Sequence, residues 1–192
     1  MSQFVHLHVH TSYSLLDGLS TVGGLIKKAV ADGMPAIAIT DHGNMFGAKQ
    51  FFNDIKKHNK KVKESVAKAR EELSKAETAN DPEAIEAAKA AVEREQRKHL
   101  KPILGCEMYV ANNSLTDRGD KHDGGRHLVV LAKNERGYKN LIKLVSKAWT
   151  EGFYKHPRTD KKELAEHREG LIISSACLGG EVPRLLQAGD VE

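Results

Sequence analysis

Short apolar runs alternate with amphipathic segments along most of this sequence. Five runs have the length and composition of β-strands, at residues 4–10, 35–42, 101–110, 126–132 and 170–176. Helical periodicity follows near 20–32, from about residue 46, over 135–152 and near 180–188. Because strands that alternate with helices form βαβ units, we expect an α/β fold with parallel strands, in a barrel or an open doubly wound sheet.

Sequence signals mark the start and the end of the first of these helices. Ser20 or Thr21 is the expected N-cap, and Gly33 is the expected stop. The sequence contains no G-x-G-x-x-G and no glycine-rich phosphate loop, which argues against a dinucleotide-binding or P-loop site.

Residues 57–99 interrupt the alternation with a segment rich in Ala, Glu and Lys. Its apolar residues have the spacing of a heptad seam: Val62, Val66, Ala69, Leu73 and Ala76. Asn80 or Asp81, followed by Pro82, is typical of the start of a second helix. We therefore predict an antiparallel helical hairpin at 57–99, inserted into a barrel formed by residues 1–56 and 100–192. The hairpin is either a solvated spacer or an arm that binds a partner.

Composition indicates a globular protein of the cytoplasm. The 192 residues are 40% hydrophobic, and no apolar run approaches the ~20 residues that span a bilayer. We find no signal-peptide pattern, and Cys106 and Cys177 make no disulfide framework. The formal net charge of +4 lies within residues 56–101, which hold 13 Lys and Arg against 9 Asp and Glu. This small excess of mixed sign is only a weak argument for nucleic-acid binding.

Three histidines, His6, His8 and His10, alternate with aliphatic residues near the start of the sequence. In a strand they share one face, with same-face neighbours roughly 6.6 Å apart. Two such neighbours do not easily hold one metal ion, but a cluster of ions can use them. A surface strand with solvated histidines is the alternative, and His6 could instead be a buried, hydrogen-bonded residue. Asp17, which follows within eight residues, favours a metal site.

Metal-ligand side chains recur where the predicted strands end, the edge at which parallel βα folds bind ligands. These ends carry His8, His10, Asp17, the Asp41–His42 pair, Glu107 and Cys177. His127 is awkward, because it begins its strand and so lies at the wrong end of a parallel barrel. Cys106 is expected to be a buried apolar residue, and Cys177 taken alone would be one too. Together the groups indicate two or three ions that clamp a phosphoryl group and activate water.

Five blocks of the sequence resemble the PHP (polymerase and histidinol phosphatase) family. They are residues 6–18 (HLHVHTSYSLLDG), 33–48 (GMPAIAITDHGNMFGA), 101–110 (KPILGCEMYV), 127–148 (HLVVLAKNERGYKNLIKLVSKA) and 170–182 (GLIISSACLGGEV). The resemblance is to the branch that opens the alpha subunit of bacterial DNA polymerase III. It implies a distorted β/α (TIM-like) barrel with a multinuclear metal centre. The implied ligands are His8, His10, Asp17, His42, Glu107, His127 and Cys177, of which the first five would be catalytic.

One departure from the family pattern bears on the extent of the barrel. The Asp-x-His pair that the family carries on a later strand does not follow Cys177. We therefore expect an incomplete barrel that forms the amino-terminal part of a longer polymerase chain. The implied cofactors are two or three divalent ions, of zinc, manganese, magnesium or iron. The implied partners are the primer 3′ end, other replicase subunits and the rest of the polymerase chain, without a membrane.

Three functions remain open at this point. The first is a metal-dependent phosphoesterase that acts as a 3′–5′ proofreading exonuclease within a DNA-directed DNA polymerase. The second is a metal-binding structural or docking module without catalysis. The third is a free-standing phosphatase similar to histidinol phosphatase, which the polymerase-like blocks at 41–48 and 137–149 disfavour.

Overall fold

The computed structural model describes residues 4–190. The described chain contains six helices: α1 (Val22–Ala31), α2 (Ala48–Ala79), α3 (Pro82–Gln96), α4 (Glu135–Thr150), α5 (Lys161–Glu166) and α6 (Glu181–Gln187). It contains six strands: β1 (Ala36–Ile39), β2 (Lys101–Val110), β3 (Arg126–Ala132), β4 (Phe153–Tyr154), β5 (His156–Thr159) and β6 (Leu171–Ser175). The mixed α/β class is confirmed, and β2 and β3 have the predicted bounds. Thr21 caps α1 by accepting from the Gly24 N–H, and Gly33 ends it with a φ of 68°.

The sheet follows the order β4-β5-β2-β3-β6, and β1 also pairs with β2. β5 is parallel to β2, but β3 is antiparallel to both β2 and β6. The prediction of parallel pairing is therefore wrong for β3. A connection without a helix joins β2 to β3, so the chain turns straight back instead of crossing over the sheet. Closure into a barrel stays a prediction.

This reversal removes the difficulty with His127. Tyr109 near the end of β2 pairs with His127 near the start of β3. Because β6 is antiparallel to β3, the end of β6 also lies at this edge, with Ser175 opposite Leu128. One edge of the sheet thus carries the end of β2, the start of β3 and the end of β6.

Residues 4–10 form no strand, contrary to the prediction. Val9 is instead bound to Thr40 through both of its backbone groups: its N–H donates to Thr40 Oγ1 and its carbonyl accepts from the Thr40 N–H, each at 2.8 Å. The side-chain bond occupies the N–H that a strand ladder would need. The sequence patterns also missed β4, β5 and α5, since Lys155 adopts a positive φ of 61° and Pro157 interrupts the apolar alternation.

The described residues divide into two compact units. A helix-rich unit comprises residues 4–6, 21–37 and 49–102, and a β-rich unit comprises residues 7–20, 38–48 and 103–190. Helix α4 packs its apolar face on β2 and β3 of the β-rich unit, in a core of Cys106, Met108, Val110, Val130, Leu141, Leu144, Val145 and Leu164. Burial of Cys106 as an apolar residue is confirmed. Among the described residues, no helix combines the length and the apolar character needed to cross a bilayer.

Helix α2 runs without interruption from residue 48 to residue 79, through the predicted boundary at 57. Asn80 (φ 56°) turns the chain, and the Asp81 side chain caps α3 by accepting from the N–H groups of Glu83 and Ala84. The chain returns beside α2, where His58 Nε2 lies 2.8 Å from the Lys98 carbonyl. The proposal that 57–99 is an independent hairpin stays a prediction.

The polar segment 112–125 is tethered rather than loose. Arg158 on β5 is fully buried, and its guanidinium donates to Asp123 Oδ2 at 3.0 Å and to the carbonyls of Leu115 and Asp117. His122 in this segment is exposed. A single buried cation therefore holds three points of this segment against β5.

Candidate metal centre

Glu107 lies at the centre of the candidate site. It projects from β2, and only 1% of its surface is exposed. Four imidazoles face its two carboxylate oxygens, at 2.5 Å (His8 Nε2), 2.6 Å (His42 Nδ1), 3.2 Å (His127 Nδ1) and 3.7 Å (His10 Nε2). The carboxylate therefore joins four histidines that come from three separate segments of the chain.

The remaining two predicted ligands contact histidines of this group from the solvent side. Asp17 Oδ2 lies 3.0 Å from His42 Nε2, and Cys177 Sγ lies 3.4 Å from His127 Nδ1. Both side chains are exposed. The structure thus brings all seven predicted residues into one network of contacts. His6 is exposed and its ring meets Phe4 edge-on, so the alternative of a buried His6 is wrong.

The segment after β1 is fixed beside β2 by backbone contacts. The Glu107 N–H donates to the Asp41 carbonyl at 3.1 Å, and the Gly43 N–H donates to the Glu107 carbonyl at 2.8 Å. Gly43 has a φ of 59°, and a Cβ there would lie 2.5 Å from a Pro157 side-chain atom. The Trp149 indole N–H on α4 donates to the Gly43 carbonyl at 2.8 Å. These contacts fix the ring of His42 between Asp17 and Glu107.

Asp41 organises the loop that carries Asp17. Its buried carboxylate accepts from the N–H and hydroxyl of Thr11 and from the hydroxyl of Ser14. Gly18 closes the loop by donating to the Ser14 carbonyl at 2.7 Å, and a Cβ on Gly18 would lie within 1.9 Å of the Thr11 carbonyl oxygen. Asp41 therefore positions the loop, whereas its neighbour His42 faces the cluster.

The loop after β6 closes the other side of the site. The His127 N–H donates to the Gly179 carbonyl at 3.1 Å, and a Cβ on Gly179 would lie 2.9 Å from the His127 ring. The Gly180 N–H donates to the Cys177 carbonyl at 2.9 Å, which folds the loop back on itself. A glycine at position 179 thus lets the chain pass close enough to bring Cys177 to His127.

Burial and neighbouring charges together set the pKa values in this cluster. Burial acts to raise the pKa of Glu107, but hydrogen bonds and charge from His127 and His42 outweigh it and hold that pKa at about 2. Burial, aided by the neighbouring His42, lowers the pKa of His10. For His42, burial acts in the same direction, but bonds to Asp17 and Glu107 prevail and raise its pKa. The cluster therefore offers a permanent carboxylate and at least one imidazole that favours its neutral form.

Two overlapping sets of side chains have the chemistry of metal sites. His8, His10 and Glu107 form one set, and Glu107, His127 and Cys177 form the other, with the ligand atoms of each set within 4.8 Å of one another. The buried Nδ1 of His10 has no hydrogen-bond partner among residues 4–190. An ionised carboxylate, neutral imidazoles and a cysteine thiolate are suitable ligands for Zn²⁺ and similar ions. The residues present therefore fit a centre with more than one metal, in which Glu107 belongs to both sets.

A third acidic group lies apart from this network. Glu163, Glu166 and His167 on and after α5 also bring ligand atoms together. Lys147 on α4 lies 2.5 Å from Glu163 Oε1 and already neutralises that carboxylate. This group is therefore a weaker candidate than the one around Glu107.

Sequence patterns missed several residues that shape the site. Tyr109 stacks on His156 at a centroid distance of 4.5 Å and meets His127 edge-on at 5.1 Å. Burial and the charge of Glu107 raise the pKa of Tyr109 to about 12, so the Tyr109 hydroxyl stays uncharged beside the cluster. Its position two residues after Glu107 on β2 was an available signal, since alternate strand residues share a face. His156 had no such signal, because β5 itself was not predicted.

A sequence model of the PHP domain matches residues 6–192. The chain belongs to the PHP domain family. This finding confirms the resemblance seen in the five sequence blocks. PHP domains are a metal-binding family, and the groups around Glu107 supply possible ligands in this member.

Curated relatives of this PHP domain are similar along the whole of the chain. The DNA polymerase III subunit alpha of Borreliella burgdorferi is 40% identical over 193 residues, which cover 100% of this chain and 13% of that protein. The subunit alpha of Treponema pallidum is 43% identical, over 97% of this chain and 13% of its own length. That of Thermus aquaticus is 39% identical, over 96% and 12%. The chain therefore spans about an eighth of the length of these relatives.

Proposed function

We propose that the chain is the PHP domain of a DNA polymerase III alpha subunit and that its metal centre hydrolyses phosphodiester bonds at the 3′ end of a primer strand. The observation that carries the proposal is the buried Glu107 carboxylate with four imidazoles around it. The names of the relatives support the polymerase context. The gathering of metal-ligand side chains supports phosphoester chemistry.

Under this proposal, DNA synthesis belongs to the longer parent chain, a DNA-directed DNA polymerase and so a nucleotidyltransferase. The partners are the primer–template DNA, the other replicase subunits and the rest of the polymerase chain. The domain works in the cytoplasm and contributes removal of 3′ nucleotides rather than their addition.

The residues of the cluster divide by the part of the metal centre that each would serve. His8, His10 and Glu107 hold one side of the centre, and His127 with Cys177 holds the other. Asp17 and His42 complete the set that faces the substrate. Two or three divalent ions, of zinc, manganese or magnesium, would supply Lewis-acid polarisation of the phosphoryl oxygen and a hydroxide nucleophile at neutral pH.

Residues of this chain keep the carboxylates of the site ionised and in position for such a reaction. Glu107 stays ionised because its pKa is about 2. Asp41 accepts three hydrogen bonds from Thr11 and Ser14 and so keeps Asp17 facing His42. Tyr109 packs edge-on against His127 and so limits the directions from which water reaches the cluster. His8, His10, Asp17, His42 and Glu107 are the proposed catalytic set.

A metal-binding docking module without catalysis is the second candidate. Leu15, Leu16 and Leu19, which flank Asp17 in its loop, are almost fully exposed. Exposed apolar side chains of this kind are typical of contact surfaces. A docking role predicts that metal removal weakens binding of a partner while hydrolysis of primer ends, or of histidinol phosphate, is absent from the start.

The test is a double substitution in the longer polymerase chain. His8→Ala with His10→Ala removes two ligands, so hydrolysis of a labelled primer should fall by more than about 100-fold, while polymerisation falls much less. His6→Ala with His122→Ala is the matched control, because both of these histidines are exposed. Primer hydrolysis that persists in the first variant, in a preparation free of other nucleases, contradicts the proposal.

A further inference from the structure

A groove of about 770 Å³ lies along the first half of α2, in the helix-rich unit. Four lysines line it, at positions 56, 57, 60 and 63, together with Phe52 and, from the returning chain, His99. All four lysines are exposed. Positions 52, 56, 60 and 63 fall on one stripe of the helix, because they are spaced four, four and three apart. The stripe spans ~16 Å at 1.5 Å per residue.

The four groove lysines form no ion pair within the described part of the chain. None of these four lysines lies within 4.0 Å of a carboxylate in the described part of the chain. Two lysines farther along α2 and α3 do form ion pairs: Lys75 pairs with Glu72 at 2.6 Å and Lys89 with Glu86 at 3.0 Å. The acidic residues between positions 50 and 70, Asp54 and Glu64, do not line the groove. The groove therefore concentrates positive charge that no carboxylate of the described chain neutralises.

The floor of the groove is held in place by bonds to the returning chain. The Asn59 side chain donates to the Leu100 carbonyl at 2.8 Å and accepts from the Leu100 N–H at 3.0 Å. His58 contacts the Lys98 carbonyl. The lysines thus project from a fixed base, which limits the ordering that a ligand must bring about.

We propose that this groove binds single-stranded nucleic acid, with its phosphates along the lysines and a base stacked on Phe52. Phe52 is 47% exposed at one end of the stripe. A basic groove next to an exposed aromatic ring is the arrangement that binds single strands without sequence preference. A segment of Asp and Glu residues would satisfy the lysines but has no aromatic ring to stack on Phe52, so the aromatic residue favours nucleic acid. The inference goes beyond the proposed hydrolysis and does not depend on the metal centre.

Binding of a labelled thymidine oligonucleotide of about 12 nucleotides tests this inference on the 192-residue chain, in EDTA at about 50 mM salt. Because no metal is present, the result does not depend on whether the chain hydrolyses DNA. Replacing three groove lysines (Lys56→Gln, Lys60→Gln, Lys63→Gln) should weaken binding about tenfold or more. The slope of log affinity against log salt should become shallower by about 2, since three phosphate contacts are lost.

A second triple variant is the matched control. It removes the same charge from exposed lysines outside the groove: Lys27→Gln, Lys61→Gln and Lys143→Gln. It should weaken binding by less than about threefold, because these lysines contribute only to the overall charge. Equal losses in the two triple variants would overturn the proposal, and so would absence of binding by the unmodified chain.

Two further measurements separate nucleic acid from other polyanions. Phe52→Ala should weaken binding of the single strand about fivefold or more, whereas Phe52→Tyr should preserve it. Poly-glutamate at equal charge should compete poorly. Unchanged binding in Phe52→Ala, or competition by poly-glutamate as strong as that by unlabelled oligonucleotide, would identify a general or protein-directed anion site and overturn the proposal.

Discussion

The two units of the described chain treat charged side chains in opposite ways. In the β-rich unit, Glu107 and Arg158 are buried, and the partners of each are far away in the sequence. In the helix-rich unit, most charges of α2 and α3 are exposed, and most of those that pair do so with a residue one turn away. Buried charges are costly unless every partner is in place, whereas exposed pairs contribute little. Substitutions should therefore have large, coupled effects in the first unit and small, additive effects in the second.

Two arginines should show the largest contrast. Arg158→Ala leaves the buried Asp123 carboxylate without its cation and removes the guanidinium donor from three carbonyls, so the free energy of unfolding should fall by about 3–5 kcal/mol. Arg70→Ala on the exposed face of α2 should change it by less than about 0.5 kcal/mol. Urea unfolding of both variants measures the difference. Similar losses in the two variants would show that the buried network around Arg158 contributes no more than a surface side chain.

Two glutamates of the β-rich unit give the next contrast, since Glu107 is buried in the cluster and Glu169 is exposed. Glu107→Gln keeps the shape of the side chain but removes the charge shared by both sets of ligands, so zinc or manganese affinity should fall by more than about 100-fold. Glu169→Gln, at an exposed residue paired with Arg136, should change that affinity by less than about twofold. Calorimetric titration distinguishes these outcomes. Full metal affinity in Glu107→Gln would contradict a central role for this carboxylate.

Two helix caps give a smaller contrast. Asp160 is buried and accepts from the N–H groups of Glu163 and Leu115, so Asp160→Ala should cost about 2 kcal/mol, because it also leaves a buried donor unpaired. Asp81 caps α3 at an exposed position, and Asp81→Ala should cost about 0.5–1 kcal/mol. Thermal unfolding of the two variants tests the order. A larger loss at Asp81 would mean that α3 is more tightly coupled to the core than its exposure indicates.

The smallest effect is expected from shortening the two long helices. Replacing residues 66–92 by a short Gly/Ser linker keeps the contacts of His58 and Asn59 with residues 98–100. Metal affinity should stay within about twofold, because stability of such helices comes from packing on each other. Binding of single-stranded DNA should persist as well, since the groove lysines remain. A shortened chain that aggregates or no longer binds metal would refute the prediction that 57–99 is a separate insert.

Local patterns were sufficient to predict the regular elements with strong periodicity. Strands β2 and β3 begin and end where their apolar runs do, and α1 and α3 begin at the side-chain caps Thr21 and Asp81. The direction of β3 was not predictable in this way, because apolar periodicity carries no information on whether a neighbour is parallel. The short β5 escaped because Pro157 and the turn at Lys155 leave no alternation to detect.

The candidate site shows the same limits. The seven predicted ligands share the residue types of metal sites, and the structure places them in one network around Glu107. Their use as ligands stays a prediction. What the sequence alone did not supply was the support behind them: Asp41 was visible only as the neighbour of His42, and its three hydrogen bonds depend on how the loop at 11–18 folds.

Anomalous diffraction tests the central claim most directly. Crystals of the chain grown with manganese or zinc, with data collected at the metal edge, should show at least two peaks beside the Glu107 carboxylate. One peak should lie next to His8 and His10, and another next to His127 and Cys177. Absence of any peak at Glu107 in metal-saturated crystals, or a peak only at Glu163 and His167, would contradict the account.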